Sequence, residues 1–479
     1  MAMGQATSFV APALIVRCSR LAALASVAAA LLLALAAGSV LAVLAPPMSA
    51  PDETFHWMRS VQISRGMPIG RKLGPNLWGG RIDNGSFLFG WWHTDHFARR
   101  QPIDPAASRE ASRTMAAQTE PRIADFSAAA VYSPVAYLPQ AAGVLLARLG
   151  GGDLLARFGA GRIANLVVYL LLVGLLVWIA PVGGLMMAAL LLGPEALHLA
   201  ASHSADPLNT ALPLLLAAWC LRLRLDPDAP FGIHARRGLM VLTLVMGLLK
   251  PTSFLFAAFV LLVPSARFAT ARERWRYAGV AFGGAFVIAV VWTLIYPFSP
   301  GVYWGSGANP RAMAASILAD PLSAANFFWT TLRDWTPVWW LDGYGRFGGH
   351  PEPFSFYTTM RYGWWALFGI LALAVVDTGP RRDGRAALLI AAVALAVWMA
   401  IVVAFWIGFT APGAPTINGV QGRYLLAIWA LFGLAIALVA PLGRWLRPLR
   451  LPVFAATLAV HGLVLSEAFD KWGRAWTTP

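Results

Sequence analysis

The chain has 479 residues, 58% of them hydrophobic and only 12% charged, about half the ~25% charge of ordinary soluble domains. Several apolar runs exceed the ~18 residues that span a bilayer, which excludes a soluble globular enzyme and predicts an all-α polytopic membrane protein. The net charge of +15 is spread over short loops between those runs; this suits membrane orientation and anionic headgroups rather than nucleic acid, for which no motif is present.

Residues 1–20 carry Arg17 and Arg20 ahead of an apolar run at 21–45. That run exceeds the ~7–15 residues of a signal-peptide core, so an uncleaved first transmembrane helix with a cytoplasmic N-terminus is expected. Its Ala-rich end makes a cleaved signal the alternative. Cys18 and Cys220 give no disulfide framework, and both are placed toward the cytoplasmic side.

The stretch from Ser49 to Arg59 follows at once. Ser49 as a cap and Pro51 in the first turn predict a helix with Asp52, His56 and Arg59 at i, i+4 and i+7 on one face. Glu53, three residues before His56, is placed to share a ligand or a proton with it. A plainer role is open to both acids, because carboxylates stabilise helix N-termini through the macrodipole.

Residues 46–156 form a predicted first outer loop, rich in Gly, Pro, Trp and charge, with interfacial helices. Residues 131–149 look like a span. If they crossed, however, Arg222, Arg224, Arg236 and Arg237 would lie outside, so an interfacial or re-entrant helix is expected there. Spans then fall near 158–180, 182–201, 207–224, 237–252, 254–266 and 277–297. A second outer loop covers 298–360, with Tyr303, Trp304, Trp329, Trp335, Trp339 and Trp340. Its aromatics suit interfacial anchoring, with stacking on sugar rings as the alternative. Spans near 361–377, 385–409, 423–441 and 451–467 follow, then an outer tail at 468–479. The total is about eleven, with the N-terminus in, the C-terminus out and the arginine clusters inside. No internal repeat of the kind built into many transporters is evident.

Ionisable residues at span borders are costly and therefore informative. On this topology Asp52, Glu53, His56, Arg157, Arg162, His198, His203, Asp206, Lys250 and Arg423 gather at one face of the membrane. Each has an ordinary alternative: snorkelling for Arg157 and Arg423, a structural hydrogen bond for His198, a helix start for Asp206-Pro207. Lys250 beside Pro251 calls for a partner. Such a set suits a lipid-phosphate sugar donor. Arginine and lysine would bind its phosphate at headgroup level, and a carboxylate such as Asp52 would remove the acceptor's proton. Asp52, Glu53, His203 and Asp206 are the candidate ligands for a divalent cation, Mg or Mn, with His56 as a further donor, although no spacing here is a metal signature.

The chain resembles the GT-C superfamily of polyprenyl-phosphate-sugar-dependent membrane glycosyltransferases. More closely it is similar to an uncharacterised bacterial membrane family grouped with them. The resemblance rests on Pro51-Asp52-Glu53-Thr54-Phe55-His56, Tyr132-Ser133-Pro134-Val135-Ala136-Tyr137-Leu138-Pro139, Arg162-Ile163-Ala164-Asn165, Ser204-Ala205-Asp206, Lys250-Pro251-Thr252 and Gln421-Gly422-Arg423-Tyr424-Leu425. It implies an acidic base at Asp52 with Glu53 as neighbour, and Arg162, Lys250 and Arg423 on the lipid phosphate. Tyr137, Gln421 and Tyr424 belong to the same motifs as accessory residues. Many members carry arginine or tyrosine where this chain has His56. The expected activity is inverting transfer of a sugar to a glycan, lipid or protein acceptor of the cell envelope, at the outer face of a bacterial cytoplasmic membrane. The rival readings are a flippase of lipid-linked sugars and a non-catalytic scaffold of envelope-polysaccharide assembly.

Overall fold

The computed structural model describes residues 7–475 except 100, 102, 348–353, 356, 380–381 and 441–442, with the side chains of 7–20, 346, 354–355, 357–360, 443–444 and 474–475 also left out. Arg17, Arg20, Cys18 and Arg381, together with the last residues of the tail, lie outside the described residues or side chains. The first helix, α1 (Thr7–Leu44), stops before Pro46-Pro47, which lack the N–H groups a helix needs.

The loop after it carries structure that an all-helical pattern does not foretell. α2 (Glu53–Ser64) is followed by β1 (Arg71–Gly74) and β2 (Leu77–Asp83), joined by a turn in which Asn76 takes φ +55°. α3 (Asn84–Ala98) and α4 (Pro105–Ala116) intervene before β3 (Pro121–Asp125) closes a three-stranded antiparallel sheet in the order β1-β2-β3. Asp83 and Asp104 cap α3 and α4 by accepting the N–H groups of Ser86 and Ala106. After α5 (Ser127–Ala130) and a tight turn at Pro134–Tyr137 comes α6 (Leu138–Leu149), twelve residues long and too short to span.

The bundle proper runs α7 (Leu154–Ile179), α8 (Gly184–Leu191), α9 (Pro194–Ala200), α10 (Asp206–Leu225), α11 (Ile233–Val245), a 3₁₀ segment Pro251–Leu262 and α12 (Ala271–Ile295). α13 (Pro300–Tyr303), α14 (Pro310–Ala319) and α15 (Pro321–Gly345) lead to α16 (Tyr357–Val376) and α17 (Gly384–Phe409). A 3₁₀ turn at Gly422–Leu425, α18 (Leu426–Val439), α19 (Gly443–Leu446) and α20 (Arg450–Ala475) complete the chain.

This is an all-α polytopic membrane architecture. Among the described residues seven stretches are long and apolar enough to cross a membrane: Leu21–Leu44, Leu154–Ile179, Asp206–Leu225, Ala271–Tyr303, Gly384–Phe409, Gly422–Val439 and Arg447–Gly473. The other four expected spans differ for local reasons. Gly193-Pro194 breaks 182–201 into α8 and α9. The 237–252 segment ends its α-helix at Val245, before Lys250-Pro251. The next is a twelve-residue 3₁₀ helix, which at about 2.0 Å per residue reaches roughly 24 Å. The 361–377 segment is apolar, but its described part, Arg361–Val376, is short.

Two cores meet at one end of the bundle. The larger is the interhelical core, where Trp339 and Trp340 are buried. The smaller joins α2, the sheet and α6 to the start of α7, Ala205 and Tyr296. Asn76 and Trp78 bond Ser299 and Pro297 just past α12. The first loop therefore sits over the ends of α1, α9 and α12 and the starts of α7 and α10. At the far end Arg224 pairs with Asp383 and Arg236 with Glu273.

Candidate functional site

The chain leaves α1 and turns into α2 through Asp52, the residue before the helix, which takes φ +58° and ψ 14°. Aspartate tolerates this left-handed conformation better than most residues, at some cost. Ser49 is not the cap: its buried hydroxyl has no partner, and the helix starts at Glu53. The turn sends the two neighbouring acids in different directions.

Glu53 points inward. Its carboxylate accepts Arg162 Nε at 2.9 Å and Nη2 at 2.6 Å, along with His203 N at 3.1 Å and Ala50 N at 3.3 Å. Burial would raise its pKa, but the Arg162 guanidinium outweighs that and holds the carboxyl below its ordinary value. Arg162, 1% exposed, spends its remaining donors on the carbonyls of Ala42, Ala45 and Pro46 at 3.1, 2.6 and 3.1 Å. These are the carbonyls that the end of α1 leaves unpaired. Arg162 thus has no donor left for a lipid phosphate, and Glu53 shares neither proton nor ligand with His56. Together they form a clamp tying α1, α2, α7 and the α9–α10 turn.

His203 is held within the same clamp. Its ring nitrogens meet Ser60 Oγ at 3.2 Å and Phe158 O at 3.0 Å. Gly161 makes room for it, since a Cβ there would collide with the imidazole. The four candidate metal ligands therefore do not converge: Glu53 faces Arg162 and the His203 ring faces Ser60 and Phe158 O, whereas Asp52 and Asp206 face Arg423. Among the described residues no group of three acidic, histidine or cysteine side chains is placed to hold an ion. The residues do not fit the expected Mg or Mn.

Asp52 points the other way. Its Oδ2 accepts Arg423 Nη2 at 2.8 Å, and its side chain is 36% exposed, against 4% for Arg423. Arg423 Nε also lies 3.5 Å from Asp206 Oδ2, and Lys250 Nζ donates to Asp206 Oδ1 at 2.6 Å. The Lys250 ammonium stands 4.1 Å from the centre of the Tyr424 ring, whose hydroxyl accepts from Arg423. Two acids and two cations from four distant segments thus form one network at the mouth of the bundle.

The network is anchored by glycine. Gly422 and Gly343 pack backbone to backbone, with Gly422 N donating to the Asp342 carboxylate; a Cβ on Gly422 would overlap Trp339 O and Gly343 N. That close approach fixes the turn carrying Arg423 and Tyr424. Gln421 contributes its carbonyl, which accepts Tyr424 N at 3.1 Å.

His56 lies beside this network. Its Nδ1 is 2.8 Å from the buried Tyr137 hydroxyl. Burial drives its pKa down to about 4, against the pull of Asp52 and Asp206, and burial raises those of Tyr137 and Tyr132. A neutral imidazole hydrogen-bonded to a protonated phenol follows. Arg59 does not join the face expected of it: its guanidinium donates to Gln62 Oε1 and Tyr132 O inside the loop core. Arg157 stands apart too, donating to Gly152 O at 2.8 Å and facing the charge of Arg148. His198 packs against Phe347 and Trp472.

Sequence reasoning named Tyr132 only as part of a motif and missed Gly161, Asp342 and Gly343. Only the glycines carry a signal, as small residues where a helix must approach a neighbour.

The chain matches the family described as Predicted membrane protein (DUF2142) over residues 18–432, and it belongs to that family. No curated protein and no solved structure matches it. Membership brings residence in a membrane and no chemistry.

Proposed function

We propose that the protein is an inverting glycosyltransferase that takes a sugar from a polyprenyl-phosphate donor and acts at the outer face of a bacterial cytoplasmic membrane. The observation that carries this is the pairing of Asp52, half open to solvent, with the buried Arg423, above the Lys250–Asp206 pair. Asp52 Oδ2 is held by Arg423, which leaves Oδ1 to accept the proton of an incoming hydroxyl. Lys250 has one of its three donors on Asp206 and so retains capacity for a phosphate, to which Arg423 adds its charge while its buried Nε faces Asp206 at 3.5 Å. Arg162 has none, so the phosphate falls to Lys250 and Arg423.

In the step proposed, the acceptor oxygen bonds to the anomeric carbon while the bond from that carbon to the phosphate oxygen breaks. The acceptor proton passes to Asp52, and the polyprenyl phosphate leaves with one more negative charge beside Lys250 and Arg423. Solvent then takes the proton from Asp52.

The test is radiolabelled sugar transfer in membranes from a panel of polyprenyl-phosphate sugars, wild type beside Asp52→Asn and Lys250→Met. Wild-type transfer that Asp52→Asn abolishes, with a raised donor KM in Lys250→Met, is expected. Transfer undiminished in Asp52→Asn would remove the base. No transfer with any donor, accompanied by flipping of a fluorescent lipid-linked sugar in proteoliposomes, would replace this reading with a flippase.

A further inference from the structure

Phe55 sits in the first turn of α2, three residues after Asp52, and collects aromatic rings from both large loops. Trp91 of α3 stands 6.2 Å from it at 90°, Trp304 5.4 Å at 80° and Tyr303 6.4 Å at 76°. Phe55 itself is buried, but Trp91 and Trp304 are 40% and 48% exposed. Among the described residues neither indole is stacked in parallel on another ring; their ring contacts are edge-on or tilted. Both indoles are thus partly exposed around Phe55, one helical turn from the half-exposed carboxylate of Asp52.

The turn that carries Trp304 is also held in place. Tyr303 donates its hydroxyl to Asp125 Oδ2 at 3.0 Å, and Trp304 N bonds Pro300 O at 2.9 Å. Gly305 and Gly307 then take φ +66° and +77°, turning the chain back so that Ser306 bonds Gly301 O and Phe409 O. Glycine is what permits those two conformations. Trp304 thus presents a half-exposed indole from an ordered turn.

We propose that Trp91 and Trp304 form the binding platform for a pyranose-containing acceptor glycan, which enters with one ring on the indoles and a hydroxyl toward Asp52. The chemistry favours a sugar over a lipid chain. One face of a pyranose is a row of C–H groups that packs on an aromatic face, while its rim of hydroxyls needs acceptors. Asp52 supplies such an acceptor within one helical turn, whereas a hydrocarbon chain would leave that carboxylate against apolar surface, which is costly. The assignment of the glycan as acceptor rests on the transfer reaction proposed above; its binding to the two indoles does not.

The experiment uses the full chain in nanodiscs. Saturation-transfer NMR is run with oligosaccharides of galactose, mannose and N-acetylglucosamine against wild type, Trp91→Ala, Trp304→Ala and Trp304→Phe, beside transfer kinetics. Binding of at least one glycan is expected, weakened about tenfold or more by either alanine variant, as for bases stacked on aromatic side chains, and kept in good part by phenylalanine. In the transfer assay the same variants raise acceptor KM and leave donor KM unchanged. Glycan binding equal in all four proteins, or absent in wild type, overturns the platform. Glycan binding that needs the tryptophans in a protein that transfers no sugar keeps the platform and removes the transferase reading. Where both alanine variants fail to fold, Trp91→Leu and Trp304→Leu take their place, and glycan binding unchanged in these folded variants also overturns it.

Discussion

Asp52 and Glu53 are adjacent acids, and the structure predicts opposite consequences for the same conservative change. Glu53→Gln replaces one carboxylate oxygen with an amide nitrogen. Whichever way it turns, that nitrogen faces donors: Arg162 Nη2 and Ala50 N on one side, Arg162 Nε and His203 N on the other. It also removes the counter-charge of a guanidinium that is 1% exposed. Breaking a buried pair from one side costs about 3–5 kcal/mol, a shift of roughly a hundredfold or more toward unfolding. Asp52→Asn loosens a pair whose acid is screened by solvent, so it costs less than breaking the fully buried Glu53 pair. Asparagine also accepts the left-handed backbone at that position, and Arg423 keeps Asp206 nearby. In detergent, scanning fluorimetry and size-exclusion recovery after heating should show Glu53→Gln strongly destabilised and Asp52→Asn close to wild type. Replacing Arg162 by Met in the Glu53→Gln background should recover part of the loss, because both charges then go together. A Glu53→Gln protein as stable as wild type, or an Asp52→Asn protein equally unstable, would refute the division of labour.

Two other outcomes follow from the same geometry. The folded protein keeps His56 neutral down to about pH 4, while the unfolded chain protonates it near 6.5. Its effect is absent above about pH 6.5, and stability falls as pH drops from there toward 4, by up to about 1.4 kcal/mol per pH unit. His56→Asn should make that part of a melting-temperature profile shallower, His93 and His203 supplying the rest because burial lowers them in the same way; an unchanged slope would remove His56 as a contributor. Gly422→Ala should leave little folded protein, because the added methyl meets the backbone of Trp339 and Gly343, neither of which is a flexible side chain; normal yield in size-exclusion chromatography would contradict this.

Much of the site was legible because membranes make charge expensive. Lys250 and Asp206 stand at the borders of apolar runs, and such residues need partners; here each is the other's. Placing Arg423 with Asp52 followed from charge bookkeeping along the topology. What the sequence did not carry was the direction of each side chain. An ideal helix beginning near Ser49 puts Asp52, His56 and Arg59 on one face, whereas a single left-handed residue at Asp52 delays the helix and sends Glu53 inward. Nor does any spacing announce that Arg162 meets the carbonyls of Ala42, Ala45 and Pro46, more than a hundred residues earlier. The sheet in the first loop escaped for a similar reason, since its strands are short and two of them are separated by α3 and α4.

The clamp and the open pair are best understood as one device. A carboxylate at a helix start would ordinarily settle onto the free N–H groups of its own first turn, yet Asp52 makes no such cap. Glu53 explains why: fixed on Arg162 and His203, it pins the first residue of α2 and leaves Asp52 in a backbone conformation it would not choose alone. Arg162 in turn is fixed by the carbonyls at the end of α1, so the position of Asp52 is set by the packing of α1 against α7. Strain held at one residue by a fully satisfied neighbour is how a fold keeps a carboxylate pointed outward at rest. Loosening the clamp should therefore release Asp52 into a cap as well as destabilise the bundle.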